Sequence, residues 1–228
     1  MRKRKSQAQR QQRAPSRAPS TPPSTWWRPP RLAVLLLICA TLAVFWQVLS
    51  HQFVLWDDPV NVTENPALHP VTFEHILAFW RAPYLELYIP LTYTVWSALA
   101  VVSRWDGSHV QTPLDPRLFH GLNLGLHMVS TLVVWRLLLR LLSHVRHQGE
   151  PQVTSTVATQ RAWAAAGGAL LFAVHPLQVE AVSWVTGLKD VLYGCLALIA
   201  IWQYVEYAGS HTEGGGASKP GQARRHYA

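Results

Sequence analysis

The segment LAVLLLICATLAVFWQVLS, from Leu32 to Ser50, contains 19 residues and no charged side chain. A helix needs about 20 apolar residues to cross a hydrocarbon core of about 30 Å. A cleaved signal peptide has a shorter apolar region that is followed by a cleavage site of small residues, and this segment has neither feature. The sequence is therefore predicted to be an integral membrane protein that is anchored by this helix.

The other apolar residues of the 228-residue chain are also bunched into runs. We predict an all-α fold, a polytopic helical membrane protein whose membrane domain covers residues 32–207. The four predicted spans are about 32–50, 118–142, 162–174 and 191–207. The apolar run from Leu87 to Ser103 is placed at the outer interface, because that topology puts 16 Lys and Arg residues inside and 4 outside, against 12 and 8 if the run crosses.

Two basic segments flank the predicted membrane domain. Residues 1–31 contain nine Lys or Arg and no acidic residue, so they are predicted to form a disordered cytoplasmic tail. Residues 208–228 are predicted to be a second basic cytoplasmic segment. Because the first basic run leads directly into a span, we expect it to contact membrane lipids and expect no nucleic-acid partner.

The predicted outer loops, 51–117 and 175–190, hold the charged residues that carry the functional hypothesis. The first loop contains Asp57 and Asp58 within FVLWDDPVNVTENP, directly after the first span, and the second contains a histidine, two carboxylates and a lysine. The four residues of the second loop are His175, Glu180, Lys189 and Asp190. A carboxylate can take a proton from a hydroxyl and a cation can stabilise a departing phosphate, so this set suits a reaction with a phosphate leaving group. The alternative for each residue is structural, as a helix cap, a turn or an ion pair.

Two further features of the membrane domain bear on this hypothesis. The first outer loop is rich in aromatic side chains, which predicts interfacial helices at the headgroup level. These aromatic residues are Phe79, Trp80, Tyr84, Tyr88, Tyr93, Trp96 and Trp105. In the second span His120, Asn123, His127 and Thr131 share one helix face, which predicts either interhelical hydrogen bonds or the lining of a substrate cleft.

Four separate motifs in residues 45–207 carry a family resemblance. They are the run from Phe53 to Pro66, Tyr88-Ile89-Pro90-Leu91-Thr92, Phe119 to His127, and Leu171 to Asp190. In this order they resemble the N-terminal membrane part of the transmembrane O-mannosyltransferases with tetratricopeptide repeats and their bacterial relatives. Such proteins are similar to the GT-C glycosyltransferases, many-span helical enzymes that transfer a sugar from a polyprenyl-phosphate carrier.

The resemblance implies roles for particular residues. Asp57 or Asp58 would be the catalytic base, or both would bind a divalent metal ion as a cofactor. The implied residues that bind the donor or another substrate are His175, Glu180, Lys189, Asp190, His127 and Asn123. The sugar donor would be a lipid-linked, mannose-like sugar and the acceptor a Ser or Thr hydroxyl of a protein, on the outer side of a bacterial inner membrane or in the endoplasmic reticulum.

Relatives of this kind continue through further spans into 34-residue helical repeats, and no such repeat is visible in this sequence. We therefore expect the chain to be a truncated N-terminal portion that is inactive by itself. Two other functions remain open from the sequence. The chain could be a non-catalytic membrane anchor or assembly platform of a tetratricopeptide-repeat protein, or it could be a small transporter that uses the polar face of the second span.

Overall fold

The structure is a computed structural model, and it describes residues 31–104, 114–144 and 155–214. The described residues form seven α-helices and no named strand, which confirms the all-α prediction. The helices are α1 (Arg31–Phe45), α2 (Phe73–Arg81), α3 (Pro90–Ser103), α4 (Pro116–His144), α5 (Ser155–Ala173), α6 (Gln178–Ser183) and α7 (Leu188–Gly214). The predicted tail 1–31, apart from Arg31, lies outside the described residues, as do residues 215–228 of the predicted segment 208–228.

Among the described residues, three helical segments are long and apolar enough to cross a membrane. They are Arg31–Ser50, in which a 3-10 turn continues α1, Pro116–Ser143 and Val185–Gly209. These segments contain the predicted spans 32–50, 118–142 and 191–207. The predicted span 162–174 is helical because it lies in α5, but α5 is not among the three, so the count of four spans is not confirmed.

Small residues let α5 pack closely against α1 and α4. Its alanines at 162, 165, 166, 169 and 173 are buried, and three of them form one apolar cluster with Ala33 and Leu37 of α1 and Trp135 of α4. Side chains without bulk allow helix backbones to approach each other, which increases the van der Waals contact between them. α5 is therefore part of the same bundle as the long apolar helices.

The outer segment between α1 and α4 has its own aromatic core. Phe79 of α2 stacks on Tyr93 of α3 with ring centroids 4.4 Å apart, and Trp96 meets Tyr93 edge to face at 5.4 Å. All three rings are at least 96% buried, so they pack inside the protein, and the predicted position of this segment at the headgroup level stays a prediction. Trp80 and Tyr88 remain exposed, and Trp105 lies outside the described residues.

The turn that leads into α7 requires a glycine. Gly187 ends a 3-10 turn, Val185–Gly187, and a Cβ atom built on it would lie 2.6 Å from the carbonyl oxygen of Ala181. That distance is shorter than any normal carbon contact, and the oxygen belongs to the backbone of α6, which cannot rotate away. Gly194 lies seven residues later, within α7, and a Cβ atom built on it would have no other atom within 4 Å.

We therefore predict that Gly187→Ala lowers the thermal stability of the purified protein. The clash forces the turn and α6 apart, which costs about 1–3 kcal/mol in cores that are already well packed. The matched control is Gly194→Ala, which adds the same methyl group to open space and should leave the unfolding midpoint unchanged or slightly higher. Equal midpoints for the two variants in the same detergent would contradict the close packing of this turn.

Candidate functional site

Asp58 connects the two outer loops. It is fully buried, its Oδ2 accepts a hydrogen bond from the backbone N–H of Val54 at 2.8 Å, and its Oδ1 accepts one from Thr186 at 3.1 Å. Burial raises the pKa of this carboxyl above its ordinary value, and the two backbone N–H groups act in the opposite direction. Asp58 thus holds the loop after α1 against the turn that leads into α7.

Asp57 has a different environment from its neighbour. Its side chain is half-buried, and within the described residues it has no hydrogen bond or ion pair. Its backbone is fixed, because the carbonyl oxygen accepts hydrogen bonds from the N–H and the side-chain amide of Asn61. Asn61 in turn accepts a hydrogen bond from the hydroxyl of Tyr93 at 2.9 Å. Of the two predicted catalytic carboxylates, Asp57 is the one whose oxygens are available to a substrate.

The polar face of α4 binds the second outer loop. The side-chain amide of Asn123 donates to the carbonyl oxygen of Trp184 at 2.7 Å, and Nε2 of His127 donates to that of Ala173 at 2.9 Å. Both side chains are at least 98% buried. Their contacts fix the position of the second loop, and the predicted role of these two residues in donor binding stays a prediction. In this structure both side chains face protein, and the transporter alternative stays open.

His120 lies one helix turn before Asn123 in α4. Its imidazole is completely buried and faces His51 edge to face, with ring centroids 6.1 Å apart. Although the ring is near the backbone of Gln52, neither of its nitrogens makes a hydrogen bond of good geometry in the described structure. The sequence placed His120 on the polar face of α4, but its position under the first outer loop depends on the folding of that loop.

Lys189 and Asp190 lie at the start of α7, three and four positions after Thr186. The Lys189 ammonium and an oxygen of Asp190 are 3.9 Å apart, and both side chains are partly or largely exposed. An exposed ion pair at this distance is weak, so the ammonium remains available to an anionic ligand. Because Thr186 is bonded to Asp58, Lys189 is held on the same side of the bundle as the aspartate pair.

His175 and Glu180 are exposed and belong to the segment before α7. Nδ1 of His175 accepts a hydrogen bond from the backbone N–H of Leu177 at 3.2 Å, so this ring caps a turn. Glu180 lies in the first turn of α6. Within the described residues no hydrogen bond or ion pair joins either side chain to Asp57 or Asp58. Their predicted contact with donor phosphate and sugar therefore stays a prediction.

The residues near the aspartate pair do not fit a protein-bound metal ion. No group of three or more His, Cys, Asp or Glu side chains that could hold a metal occurs among the described residues. Both oxygens of Asp58 already accept backbone hydrogen bonds. Ca²⁺ and Mg²⁺ take six or more oxygen ligands, of which the described residues near the pair supply few. We therefore derive no chemical step through a metal.

We predict that Asp58→Asn destabilises the protein while Asp57→Asn does not. An Asn side chain has one acceptor oxygen, so either Val54 or Thr186 would lose its partner, at a cost of about 1–3 kcal/mol for a buried unsatisfied group. The measurement is the unfolding midpoint of both purified variants in the same detergent. A midpoint for Asp58→Asn that equals the wild-type value would show that Asp58 does not hold the two loops together.

Comparisons with known proteins find relatives that are named as O-mannosyl-transferases. No family model matches the chain, and no solved structure matches it. The chain is 30% identical over 184 residues to protein O-mannosyl-transferase TMTC3 of Mus musculus, and 27% identical over 184 residues to that of Homo sapiens. It is 28% identical over 186 residues to Tmtc3 of Drosophila melanogaster.

These alignments cover 76–77% of this chain but 17–19% of the relatives, so the chain spans less than a fifth of their length. These identities of 27–30% support the resemblance to O-mannosyltransferases, whereas the likeness to bacterial GT-C enzymes stays a prediction. Together, the three apolar helices and these similarities indicate a membrane protein that resembles part of a glycosyltransferase acting on proteins.

Proposed function

We propose that this chain is the N-terminal membrane portion of a glycosyltransferase that moves a mannose-like sugar from a polyprenyl-phosphate donor to Ser or Thr hydroxyls of a protein. The observation that carries the proposal is that the two adjacent aspartates differ in burial and in hydrogen bonding. Asp58 is buried and bonded to both outer loops, and Asp57 beside it presents a free carboxylate on a fixed backbone. Among known proteins, the named relatives support a sugar donor and a protein acceptor for such a site.

In the proposed reaction Asp57 acts as the general base. Its carboxylate takes the proton of the acceptor hydroxyl as the hydroxyl oxygen forms a bond to the anomeric carbon of the sugar. The bond between that carbon and the phosphate oxygen breaks, and both electrons of the bond leave with the phosphate. A base that is positioned within hydrogen-bond reach contributes about 10²–10⁴-fold to such a proton transfer.

Lys189 is proposed to stabilise the departing phosphate. Its ammonium is partly exposed and lies on the aspartate side of the bundle, so it can approach a phosphate at the membrane surface. The sequence has Leu188 where many members of the resembling family have Arg, and Leu188 is buried. A lysine contacts phosphate as a single point charge, whereas an arginine would form two parallel hydrogen bonds. We therefore assign the phosphate contact to Lys189 alone on this helix.

The proposed topology has four spans, with α5 as the third. Ring contact between Phe53 and Phe119 places the start of α4 beside the loop that follows α1, and the Asp58–Thr186 bond places the start of α7 there too. If α4 crosses the membrane away from this side, a return crossing is needed before Thr186, and we assign that crossing to α5. With 19 residues, α5 is about 28 Å long at 1.5 Å per residue, which is nearly the thickness of a hydrocarbon core.

A topology measurement tests this arrangement. We predict that a reporter inserted after Arg104 lies on the outer or lumenal side and that one inserted within residues 145–154 lies in the cytoplasm, with the N-terminus. The positive charge on the inner side favours this orientation. Two reporters on the same side would exclude α4 as a span, and a cytoplasmic result after Arg104 would mean that the run Leu87 to Ser103 crosses the membrane.

The enzymatic proposal predicts that Asp57→Asn in the complete protein lowers sugar transfer by about 10²-fold or more, because the amide cannot accept the proton. Transfer is measured by mass spectrometry of the acceptor peptides, with polyprenyl-phosphate mannose as the donor. The matched control is Glu64→Gln, since Glu64 is an exposed carboxylate of the same loop. Unchanged transfer by folded Asp57→Asn protein would remove the proposed base and favour the non-catalytic platform.

A further inference from the structure

Large apolar side chains of the segment that contains Asp57 are exposed. Leu55 is 91% exposed and Trp56 is 75% exposed, immediately before the aspartate pair. Val60, Leu85 and Leu87 are 44%, 56% and 40% exposed. We call these five residues the apolar rim. Single exposed apolar residues are common, but a group of them marks a surface that binds another apolar body.

Hydrogen bonds bring the two parts of the apolar rim together. The Tyr84 hydroxyl donates to the carbonyl oxygen of Val60 at 3.3 Å, so the turn that carries Leu85 and Leu87 lies against the first part. On the other side, the bond from the Val54 N–H to Asp58 closes the short loop that carries Leu55 and Trp56. The rim is therefore a defined surface that the surrounding structure holds in place.

The turn between Tyr84 and Leu87 holds Leu85 outward at a cost in backbone energy. Tyr84 and Leu87 exchange both backbone hydrogen bonds, at 3.0 and 2.9 Å. Between them Leu85 has φ 46° and Glu86 has φ 66°, which is the left-handed region that side chains rarely adopt. Turns of this kind normally use Asn and Gly. A glycine would relieve the strain at this position, so the leucine is consistent with a use for its exposed side chain.

From this surface we infer that the apolar rim inserts into the outer leaflet of the membrane and contacts lipid chains, which holds the Asp57 carboxylate at the level of the headgroups. The first span ends at Ser50, five residues before Leu55, and five extended residues reach at most about 18 Å. The rim is thus tethered next to the bilayer surface. Asp57 and Glu86 carry negative charge beside it, so the contact depends on apolar chains and does not require anionic headgroups.

Site-directed spin labelling of the whole chain in phosphatidylcholine nanodiscs tests the inference. Nitroxide labels are placed on cysteines at positions 55 and 85, after Cys39 and Cys195 are replaced by alanine. The matched controls are labels at Glu64 and Glu74, which are exposed residues of the same outer segment. We expect the two rim labels to be several-fold more accessible to oxygen, and less accessible to a water-soluble nickel reagent, than the two control labels.

Two outcomes would overturn the inference. Rim labels that match the controls in both reagents would place the rim in water, and rim labels that are shielded from both reagents would show that protein covers it. A second measurement avoids labelling and uses the conservative variant Trp56→Phe. If Trp56 contacts lipid chains, brominated phosphatidylcholine should quench more fluorescence in the wild-type chain than in this variant, and equal quenching would contradict the inference. Neither readout depends on the proposed sugar transfer, so the two proposals can fail separately.

Discussion

Asp58 accepts one hydrogen bond from Val54, four positions earlier, and one from Thr186, 128 positions later, so a single carboxylate connects distant parts of the chain. A buried carboxylate is costly, and the two backbone N–H groups offset part of that cost by satisfying both of its oxygens. This connection places the end of the first span and the beginning of the last span on one side of the bundle. The proposed four-span topology and the proposed position of Lys189 both depend on it, and the same bond holds the residue next to Asp57 in place.

The helices of this protein could be predicted from sequence because a membrane requires long apolar segments, which composition reveals directly. Three of the predicted spans coincide with the long apolar helices of the structure. The extent of helix α5 was more difficult to predict from the sequence. The helix begins with the polar stretch from Ser155 to Arg161, and its buried face consists of alanines. Alanine adds little to an apolar signal, and its role becomes visible only where α1 and α4 lie against it.

The aromatic residues of the outer segment show what composition cannot decide. Phe79 and Trp80 are neighbours, yet Phe79 is buried in the aromatic core while Trp80 is half-exposed and donates a hydrogen bond to Thr94. Adjacent residues of a helix point about 100° apart, so one neighbour can fill a core while the other faces outward. The sequence indicates that the segment is aromatic, but the assignment of each ring depends on which side of α2 meets α3.

The residues of the candidate site could be predicted from the sequence, but their hydrogen-bond partners could not. An aspartate pair directly after a span is visible in the sequence, whereas the partners of Asp58 are backbone atoms that carry no sequence signal. The same holds for Asn123 and His127, which bind carbonyl oxygens 61 and 46 positions away. A polar face on a membrane helix therefore indicates that polar partners exist, and the fold decides whether they belong to a substrate or to the protein.

The two adjacent aspartates have different environments in this structure, because their side chains point in different directions. Asp58 has helical backbone angles and leads into the π-helical turn Pro59–Thr63, and neighbouring side chains in helical geometry do not face each other. When Asp58 points inward to bind both outer loops, Asp57 is directed elsewhere, and its carbonyl oxygen is held by Asn61. The structural role of one carboxylate thereby fixes the backbone that presents the other. If the apolar rim lies in lipid, the second carboxylate is presented where the phosphate of a lipid-linked donor and the hydroxyl of a soluble acceptor can meet.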